Sequence, residues 1–482
     1  MRATSRSDGF GRQRPPTLIR SVLSRRTMMA RSAAALAAAC ALAACDVDPN
    51  LEPISVPAPQ AGTELRDRID GAPEPVTADE RLNPALLRRF YARHDFEPVW
   101  TTRPAQANAL VHAVLRAGDH GLDPALFHAG LLVRRSTLSP LDRELMLSDA
   151  FLSYADALAR GAVPVERRRD DEVLAPESID VAAVLDEAAD SADPAATIEA
   201  LAPATPTYRA LREALRKYRS GASAGDAGRS QRLRTIEVNL ERQRWLPRPL
   251  PADRVWVNIA DERLVLYRAG QPIFSTRVVV GEDVEQNQSP EFRAVIDASF
   301  FNPPWVVPVD IAKAEILPKL DRDPDYLTRN KMILLANGEV EQLPGPDAGL
   351  GLIMFDMPNR FDVYLHDTPD KQIFNLANRR ISHGCIRVQN PLEFAALLMR
   401  EPIDAIKEGI ALGGTTRHGL PSPVPVFVVY QTAFADALGA LQFRPDFYNR
   451  DDAIWRKLQR FPSGPNSVAQ AGNRLASSTP FQ

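Results

Sequence analysis

Apolar residues recur at helical spacing along the chain from about residue 82 to residue 219. Residues spaced by three and four lie on one face of a helix, and glycine or proline turns separate the clusters. We therefore expect an all-α domain over residues 82–219. The clusters that define it are Leu86, Leu87, Phe90 and Tyr91; Leu110, Val111, Val114 and Leu115; Leu145, Phe151, Leu152 and Leu158; and Tyr208, Leu211, Leu215 and Tyr218.

The pattern changes near residue 255 to short runs rich in β-branched and aromatic residues. Such runs with turn residues between them predict a sheet-rich sandwich or barrel. The fold class predicted is thus a helical domain followed by a mainly-β (α+β) domain over residues 231–460. Residues 309–320 and 325–329 are predicted to be helical, within a lid segment over about 309–350. The predicted strands are 255–259, 263–267, 273–280, 292–301, 361–366 and 424–430.

The first 45 residues are typical of a bacterial export signal. A basic region with Arg20, Arg25, Arg26 and Arg31 precedes an alanine-rich apolar run at 32–44, which is too short to span a bilayer comfortably. The run ends in Leu42-Ala43-Ala44-Cys45, which resembles a lipobox in which Cys45 becomes the lipidated N-terminus. Arg25 and Arg26 resemble a twin-arginine export signal, and Sec export stays open. An ordinary cleaved signal peptide is the alternative to a lipoprotein.

Three segments are predicted to lack a packed core. Residues 46–81 are rich in Pro, Ala and acidic residues and are predicted to be a flexible tether. Residues 220–230 are a short Gly/Ala/Ser-rich hinge, and residues 461–482 are predicted to be a disordered tail. The hinge is too short to hold a folded module.

The amino-acid composition is ordinary for a globular protein, and the cysteines are more informative about function. The chain has 482 residues, a net charge of −3, 45% hydrophobic and 25% charged residues, which gives no argument for nucleic-acid binding. Of its three cysteines, Cys40 would leave with the leader and Cys45 would carry lipid. An exported protein with one remaining thiol, Cys385, cannot use it for an internal disulfide. This favours a catalytic role for Cys385.

The residues around Cys385 support that role. His383 and Gly384 directly precede it, and His366 lies nineteen residues before it. A thiol attacks as the thiolate, so it needs a base or a positive environment. A buried structural cysteine and a metal site with these two histidines are the competing interpretations, although a metal usually needs three or four ligands. Asn390 and Pro391 predict a helix start, which would place Cys385 on a turn just before a helix.

These motifs resemble the L,D-transpeptidase catalytic domain, which has the YkuD fold. Further segments are similar to the large YcbB-like branch of that family and to its N-terminal scaffold domain. The resemblance rests on Ser382-His383-Gly384-Cys385-Ile386-Arg387 with His366 before it, on 364–369, 301–308 and 344–346, and on 90–91, 98–100 and 120–124. Members of this branch often carry a peptidoglycan-binding module, which is missing at residues 220–230.

The resemblance implies roles for individual residues. Cys385 would attack a peptide carbonyl, with His366 as the favoured base and His383 as the alternative. The backbone N–H groups of Gly384 and Cys385 would stabilise the oxyanion. The remaining candidates are Arg387, which could bind a substrate carboxylate or form an internal salt bridge, and Ser382, Tyr364 and Trp305, which could contact substrate. No metal and no cofactor are expected.

The implied activity is peptidoglycan remodelling in the periplasm by a membrane-anchored lipoprotein. A donor tetrapeptide stem would acylate Cys385 and lose its terminal D-alanine. The side-chain amine of diaminopimelate on an acceptor stem would then form a diaminopimelate–diaminopimelate cross-link, and carbapenems are expected to acylate the same thiol. L,D-carboxypeptidase activity, D-amino-acid exchange and attachment of a lipoprotein to the wall stay open on the same thioester. A non-catalytic wall-binding protein is a further alternative.

Overall fold

The computed structural model describes residues 60–71, 76–221 and 227–459. The predicted signal segment 1–45 with Cys45, residues 46–59 of the tether and the tail 461–482 lie outside the described residues, as do 72–75 and 222–226. Among the described residues, no helix is long and apolar enough to cross a membrane.

The N-terminal part of the described chain is helical, as its apolar spacing predicts. Proline occupies the first turn of many of these helices, where its missing N–H leaves no bond unmade. Side chains such as Ser139 and Thr205 accept hydrogen bonds as N-caps. The helices are α1 Gln60–Asp70, α2 Pro84–Tyr91, α3 Pro104–Leu115, α4 Ala129–Val133, α5 Pro140–Arg160, α6 Val181–Asp190, α7 Pro194–Glu199, α8 Pro206–Ser220 and α9 Ala227–Arg244.

The predicted tether is wrong for its C-terminal part. Helix α1 and a short hairpin occupy residues within 60–81, and Leu65 and Ile69 are fully buried in the helical core. These two apolar residues lie four apart, on one helix face, so their burial stabilises the segment. The proline-rich, acidic composition around them hid so short an amphipathic pattern.

Helix α9 joins the helical part to the part that follows it, so the predicted boundary at residue 231 falls inside a helix. Ile236 and Leu240 pack with residues of α8, whereas Val238 belongs to the main helical core. That core also includes Phe427 and Val429, which lie near the end of a late strand. The two parts of the chain therefore share apolar packing.

The strands that follow confirm the fold class of a helical region before a β-rich domain. Together with two short N-terminal strands, they are β1 Val76–Thr77, β2 Glu80–Arg81, β3 Arg254–Asn258, β4 Arg263–Arg268, β5 Gln271–Gly281, β6 Phe292–Phe301, β7 Trp305–Val307, β8 Met332–Leu334, β9 Val340–Gln342, β10 Ile353–Asp356, β11 Leu365–His366, β12 Arg380–Ser382, β13 Ile386–Val388, β14 Thr416–Val429, β15 Ala433–Ala435 and β16 Leu441–Phe443.

The main sheet closes on itself. Within the described residues it has nine strands in the order β12-β5-β13-β11-β10-β6-β14-β3-β4, and an additional pairing joins β4 to β5. Strands β3 to β6 bury alternating side chains in one core cluster, which includes Val255, Leu264 and Ile296. A closed sheet leaves few unpaired edges. It therefore gives the strands that carry the candidate site a rigid support.

Further helices lie between and after these strands: α10 Val309–Ile311, α11 Leu317–Leu320, α12 Tyr326–Arg329, α13 Pro391–Met399 and α14 Ile403–Ala411, with α15 Arg450–Leu458 near the C-terminus. Helices α10 to α12 fall in the predicted lid segment, with a π-helical turn at Ala312–Ile316 between α10 and α11. Strands β7, β9 and β8 form a separate three-stranded sheet there, with a small apolar cluster around Val307 and Val340. The segment thus has its own core.

Candidate active site

Cys385 lies in a tight turn between β12 and β13, and its thiol is free. Strand β13 pairs with β5 and, in parallel, with β11. The predicted position just before a helix is therefore wrong in detail. The helix does begin at Pro391 as predicted, but β13 lies between it and the cysteine.

The side chain of Ser382 forms two hydrogen bonds with the backbone of the turn. Its buried hydroxyl donates a 2.6 Å hydrogen bond to the carbonyl of Cys385 and accepts a 3.2 Å bond from the N–H of Gly384. Gly384 has φ +108°, a conformation that L-residues with a side chain rarely adopt. Ser382 thus has a structural part in the loop, and its expected contact with substrate stays a prediction.

A second serine, which the sequence does not mark as functional, supports the turn from the adjacent segment. Ser289 is fully buried, donates a 2.7 Å hydrogen bond to the carbonyl of Gly384 and accepts a 3.0 Å bond from the N–H of Gly281. The hydroxyl of Tyr448 donates to the carbonyl of Gly281 at 2.6 Å and accepts from the N–H of Ser289 at 3.2 Å. No local sequence signal marks these contacts, because they join residues far apart in the chain.

The two predicted oxyanion donors differ in availability. The N–H of Gly384 is already bonded to Ser382, whereas the N–H of Cys385 has no hydrogen-bond partner within the described part of the chain. A donor must be free to bind a developing negative charge. The N–H of Cys385 is therefore the more available donor, and the oxyanion role of both groups stays a prediction.

The thiol of Cys385 is partly exposed, and burial of its surroundings raises its pKa. The backbone N–H of Tyr364 and the cation of Arg387 act in the opposite direction, and Asp362 raises the pKa further. The sulfur lies 3.8 Å from the carbonyl oxygen of Asp362, to which S–H can donate. At neutral pH the resting group is thus the thiol, and a base has to remove its proton.

His366 is the favoured candidate for that base. Strand β11 is shorter than predicted, but it ends at His366, opposite Arg387 on the strand that leads away from Cys385. The ring nitrogen Nδ1 lies 2.5 Å from the carbonyl oxygen of Asp367, which can only accept a hydrogen bond. The hydrogen bond therefore places a ring proton on Nδ1. The hydrogen-bond acceptor for the His366 ring is thus a backbone carbonyl and not the carboxylate of Asp367.

The imidazole of His366 is neutral. Burial, and then the nearby cation of Arg387, lower its pKa to about 4, although the carbonyls of Asp367 and Leu350 act to raise it. The carboxylate of Asp367 is engaged elsewhere, with the N–H of Leu352 at 3.0 Å and the ammonium of Lys371. The ring is thus unprotonated at neutral pH.

His383, the alternative base, is oriented toward a different group. Its Nε2 lies 2.8 Å from a carboxylate oxygen of Glu315, in the π-helical turn of the predicted lid segment. Both side chains are exposed by more than a third, at 37% and 45%. Exposed pairs of this kind contribute little to stability. His383 therefore connects the catalytic turn with the lid segment.

Arg387 forms no ion pair with any residue of the described ranges, so the internal salt bridge considered above is absent there. Its side chain is half-buried and its Nε has no hydrogen-bond partner in that part of the protein. Burial lowers its pKa, and the charges of Cys385 and Asp370 oppose that effect. A half-buried guanidinium with an unused donor can receive an anionic group.

The two aromatic candidates lie in different clusters. Tyr364 packs against the core of the closed sheet, and burial raises its pKa. Trp305 packs against the small cluster of the lid segment, where a β-carbon on Gly349 would come within 3.2 Å of its indole ring. Their contact with substrate stays a prediction. The described residues contain no group of three or more His, Cys, Asp or Glu side chains that could hold a metal ion.

Comparison with known proteins agrees with this arrangement. Residues 85–215 match the family described as a scaffold domain, and residues 252–426 match the L,D-transpeptidase catalytic domain. The second match includes Cys385, His366 and His383. The fold and site thus define a two-domain enzyme, a helical scaffold followed by a catalytic domain. Residues 252–426 are thus an L,D-transpeptidase catalytic domain, the domain that the motifs resemble.

One named protein and two solved structures are similar to this chain. Over 398 residues the chain is 27% identical to a Haemophilus influenzae protein named "Putative L,D-transpeptidase". The match covers 77% of this chain and 78% of that protein. Two solved structures are also similar: an avibactam carbamoyl enzyme of Ldtfm at 15% identity and TM-score 0.20, and Mycobacterium tuberculosis L,D-transpeptidase 1 at 13% and 0.19. Each covers 37% of this chain, which spans 49% and 61% of theirs.

Proposed function

We propose that this protein is a peptidoglycan L,D-transpeptidase that forms diaminopimelate–diaminopimelate cross-links through a thioester on Cys385. The observation that carries the proposal is the position of His366 at the end of strand β11, which pairs with the strand that follows Cys385. The Nδ1–H of His366 is held by a backbone carbonyl, on the strand beside the one that follows the free thiol. A neutral imidazole can accept the proton that a protonated thiol must lose.

In the first half of the reaction, Nε2 of His366 removes the proton of the Cys385 thiol. The sulfur attacks the donor carbonyl that precedes the terminal D-alanine, and a carbon–sulfur bond forms. The N–H of Cys385 is the available donor for the oxyanion. The carbon–nitrogen bond then breaks, and the imidazolium returns its proton to the amine of D-alanine.

In the second half, the side-chain amine of an acceptor diaminopimelate attacks the thioester carbonyl. The carbon–sulfur bond breaks, an amide forms, and the proton of the amine returns to the thiolate through His366. No metal and no cofactor take part in this proposal. Because both halves use the same thiol, the enzyme works through a covalent intermediate.

The other candidates supply binding in this proposal. Arg387 holds a carboxylate of the stem peptide with its unused guanidinium donor, because a charge-assisted hydrogen bond to a half-buried cation is strong. Tyr364 and Trp305 contact the stem, and the Ser382 hydroxyl keeps the turn in shape and lies within the substrate site. Carbapenems acylate Cys385 by the same attack on a carbonyl.

Mass spectrometry of muropeptides tests the proposal. Purified protein lacking residues 1–45 is incubated with disaccharide-tetrapeptides that contain diaminopimelate. The expected product is a dimer joined between two diaminopimelate residues, with one D-alanine released per cross-link. A wild-type sample that yields tripeptides alone would instead establish an L,D-carboxypeptidase. Incorporation of an added D-amino acid would establish exchange, attachment of a lipoprotein would establish wall anchoring, and no change would leave a wall-binding protein.

We further propose that Cys45 is lipidated and anchors the enzyme in the periplasm, facing the wall. The supporting feature is the lipobox-like Leu42-Ala43-Ala44-Cys45 after a basic, apolar leader. Fractionation tests this: wild-type protein is expected with membranes and a Cys45→Ser variant in the soluble fraction. Wild-type protein without lipid in the soluble fraction would refute it.

A further inference from the structure

The catalytic turn is held in place by two segments that lie outside it. Strand β12, which ends at Ser382, pairs with Gly281 at the end of β5. The carbonyl of Gly384 accepts its hydrogen bond from Ser289, in the segment between β5 and β6. There is no room for a β-carbon on Gly281 beside the carbonyl oxygen of Asn287, so the two segments pack closely. The position of the turn therefore depends on Gly281 and Ser289.

The side chain of Tyr448 binds both of these segments. Its buried hydroxyl donates a 2.6 Å hydrogen bond to the carbonyl of Gly281 and accepts a 3.2 Å bond from the N–H of Ser289. The ring of Tyr448 stacks on the ring of Tyr430, with the ring centres 5.2 Å apart. One fixed side chain thus sets the distance between the end of β5 and the segment that carries Ser289.

Arg450 binds the second segment as well. Its fully buried guanidinium donates hydrogen bonds to the carbonyl of Ser289 at 3.1 Å and to the side chain of Gln288 at 3.2 Å. Two carboxylates pair with its charge, Asp171 at 2.6 Å and Glu291 at 3.5 Å, and Asp171 lies in the matched scaffold domain. A guanidinium presents its donors in fixed directions. Arg450 therefore fixes Ser289 relative to the scaffold domain.

Tyr448 and Arg450 lie in a C-terminal segment that packs on the helical part of the chain. They follow the matched catalytic domain, which ends at residue 426. Helix α15 begins at Arg450, and its residues Ile454 and Leu458 are buried in the main helical core. The helical part of the chain therefore reaches the catalytic turn through this segment.

We propose that Tyr448 and Arg450 are positioning residues for the nucleophile, and that through them the helical part of the chain sets the geometry of the catalytic turn. The inference rests on the proposed function, because the turn carries the thiol of Cys385. The two residues act through the backbone of Gly281 and Ser289. A displaced turn moves both the sulfur and the N–H of Cys385, and a misplacement of about 1 Å can reduce a rate by about 10²-fold.

The experiment compares two buried tyrosine hydroxyls in the purified protein. The variants are Tyr448→Phe and, as the matched control, Tyr91→Phe. Tyr91 lies in helix α2 and is fully buried, and its hydroxyl contacts Ser148 at 2.7 Å and Glu144 at 3.0 Å. Each variant thus loses a buried hydroxyl and its partners at almost unchanged side-chain volume. Only the hydroxyl of Tyr448 binds the segments that hold the turn.

Intact-mass measurements follow the acylation of Cys385 over a range of carbapenem concentrations, and denaturant unfolding is measured in parallel. Tyr448→Phe is expected to lower the rate constant at saturation by about 10-fold and to leave the half-saturating concentration unchanged, because the position of the nucleophile affects the attack and not the binding. Tyr91→Phe is expected to be destabilised to a similar extent and to be acylated at the wild-type rate.

A second pair of variants repeats the comparison with buried cations, Arg450→Lys and Arg244→Lys. Arg244 is fully buried and binds Glu241 at 2.9 Å and the carbonyl of His120 at 2.9 Å, both in the helical part. A lysine keeps the charge and loses the planar set of donors. The rate constant is expected to fall by about 10-fold in Arg450→Lys and to stay at the wild-type value in Arg244→Lys.

Equal rate constants for Tyr448→Phe and Tyr91→Phe would overturn the inference. A loss seen only as a higher half-saturating concentration would also overturn it, because it would assign Tyr448 to ligand binding. The tyrosine pair decides the test alone where a lysine variant does not fold. A wild-type protein that is not acylated would instead refute the proposed function itself.

Discussion

The hydroxyl of Ser289 donates a 2.7 Å hydrogen bond to the carbonyl of Gly384, the residue directly before the nucleophile. The backbone carbonyl of Ser289 in turn accepts from Arg450 at 3.1 Å, and Arg450 pairs with Asp171 at 2.6 Å. Arg450 is fully buried. A chain of three polar contacts thus connects Asp171, in the segment after helix α5, with the catalytic turn.

Replacement of Ser289 by alanine tests this support. The variant leaves the buried carbonyl of Gly384 and the N–H of Gly281 without their partner, which costs about 1–3 kcal/mol for each such group. We expect lower stability in denaturant unfolding and slower acylation of Cys385. Ser299→Ala is the matched control, because Ser299 is equally buried and its hydroxyl has no partner among the described residues. Equal effects of the two substitutions would contradict the role of Ser289.

Gly384→Ala tests the conformation of the turn. A β-carbon at φ +108° is strained by about 1–3 kcal/mol, although there is room for it. The strain is expected to shift the turn and to slow acylation. Gly439→Ala is the control: Gly439 has φ +80° and open space around it, at the connection between β15 and β16. The Gly439→Ala variant is expected to be less stable than the wild type and to keep its acylation activity. Full acylation activity in Gly384→Ala would show that the turn tolerates the change.

The two histidines are predicted to differ in their importance. Loss of a general base costs about 10²–10⁴-fold in rate, so His366→Ala should reduce acylation by that factor. His383→Ala should have a much smaller effect, and Glu315→Gln should reproduce it, because the two side chains pair. Stopped-flow measurement of acylation by a carbapenem checks all three variants. A larger loss in His383→Ala would reverse the assignment of the base.

The pH dependence of acylation follows from the lowered pKa of His366. The active form is the neutral imidazole, and burial lowers its pKa to about 4. As pH falls, the rate is therefore expected to stay level past the ordinary histidine pKa, near 6.5, and to decline only below about pH 5. Rate constants for thioester formation between about pH 3.5 and pH 8 measure this. An inflection close to 6.5 would indicate that an exposed histidine is the base.

The sequence predicts the parts of the fold that depend on local pattern. Helical spacing around Phe90 and Leu152, and β-branched runs around Val257 and Val279, lead to the correct two-part fold. The choice between a sandwich and a closed sheet could not be predicted, because it depends on the pairing of β4 with β5. Helix α1 was missed, since Leu65 and Ile69 are buried only by contacts with distant helices.

In the candidate site, too, the sequence predicts what depends on local pattern and does not predict what depends on contacts between distant residues. Cys385, His366 and His383 are recognisable because their residue types and spacing carry chemical meaning. Ser289 and Arg450 act on the turn from distant positions in the chain, and nothing in their local sequence indicates it. The availability of oxyanion donors also depends on geometry, since only the folded turn shows that Ser382 uses the N–H of Gly384.

The most direct test of the proposed chemistry is intact-protein mass spectrometry during reaction with a tetrapeptide stem that ends in D-alanine. The thioester mechanism predicts a mass increase equal to the stem without its D-alanine. Peptide mapping should place it on Cys385, and it should disappear when an amine acceptor is added. Cys385→Ala should show neither adduct nor D-alanine release. Release of D-alanine by Cys385→Ala, or an adduct mapped to another residue, would contradict the mechanism.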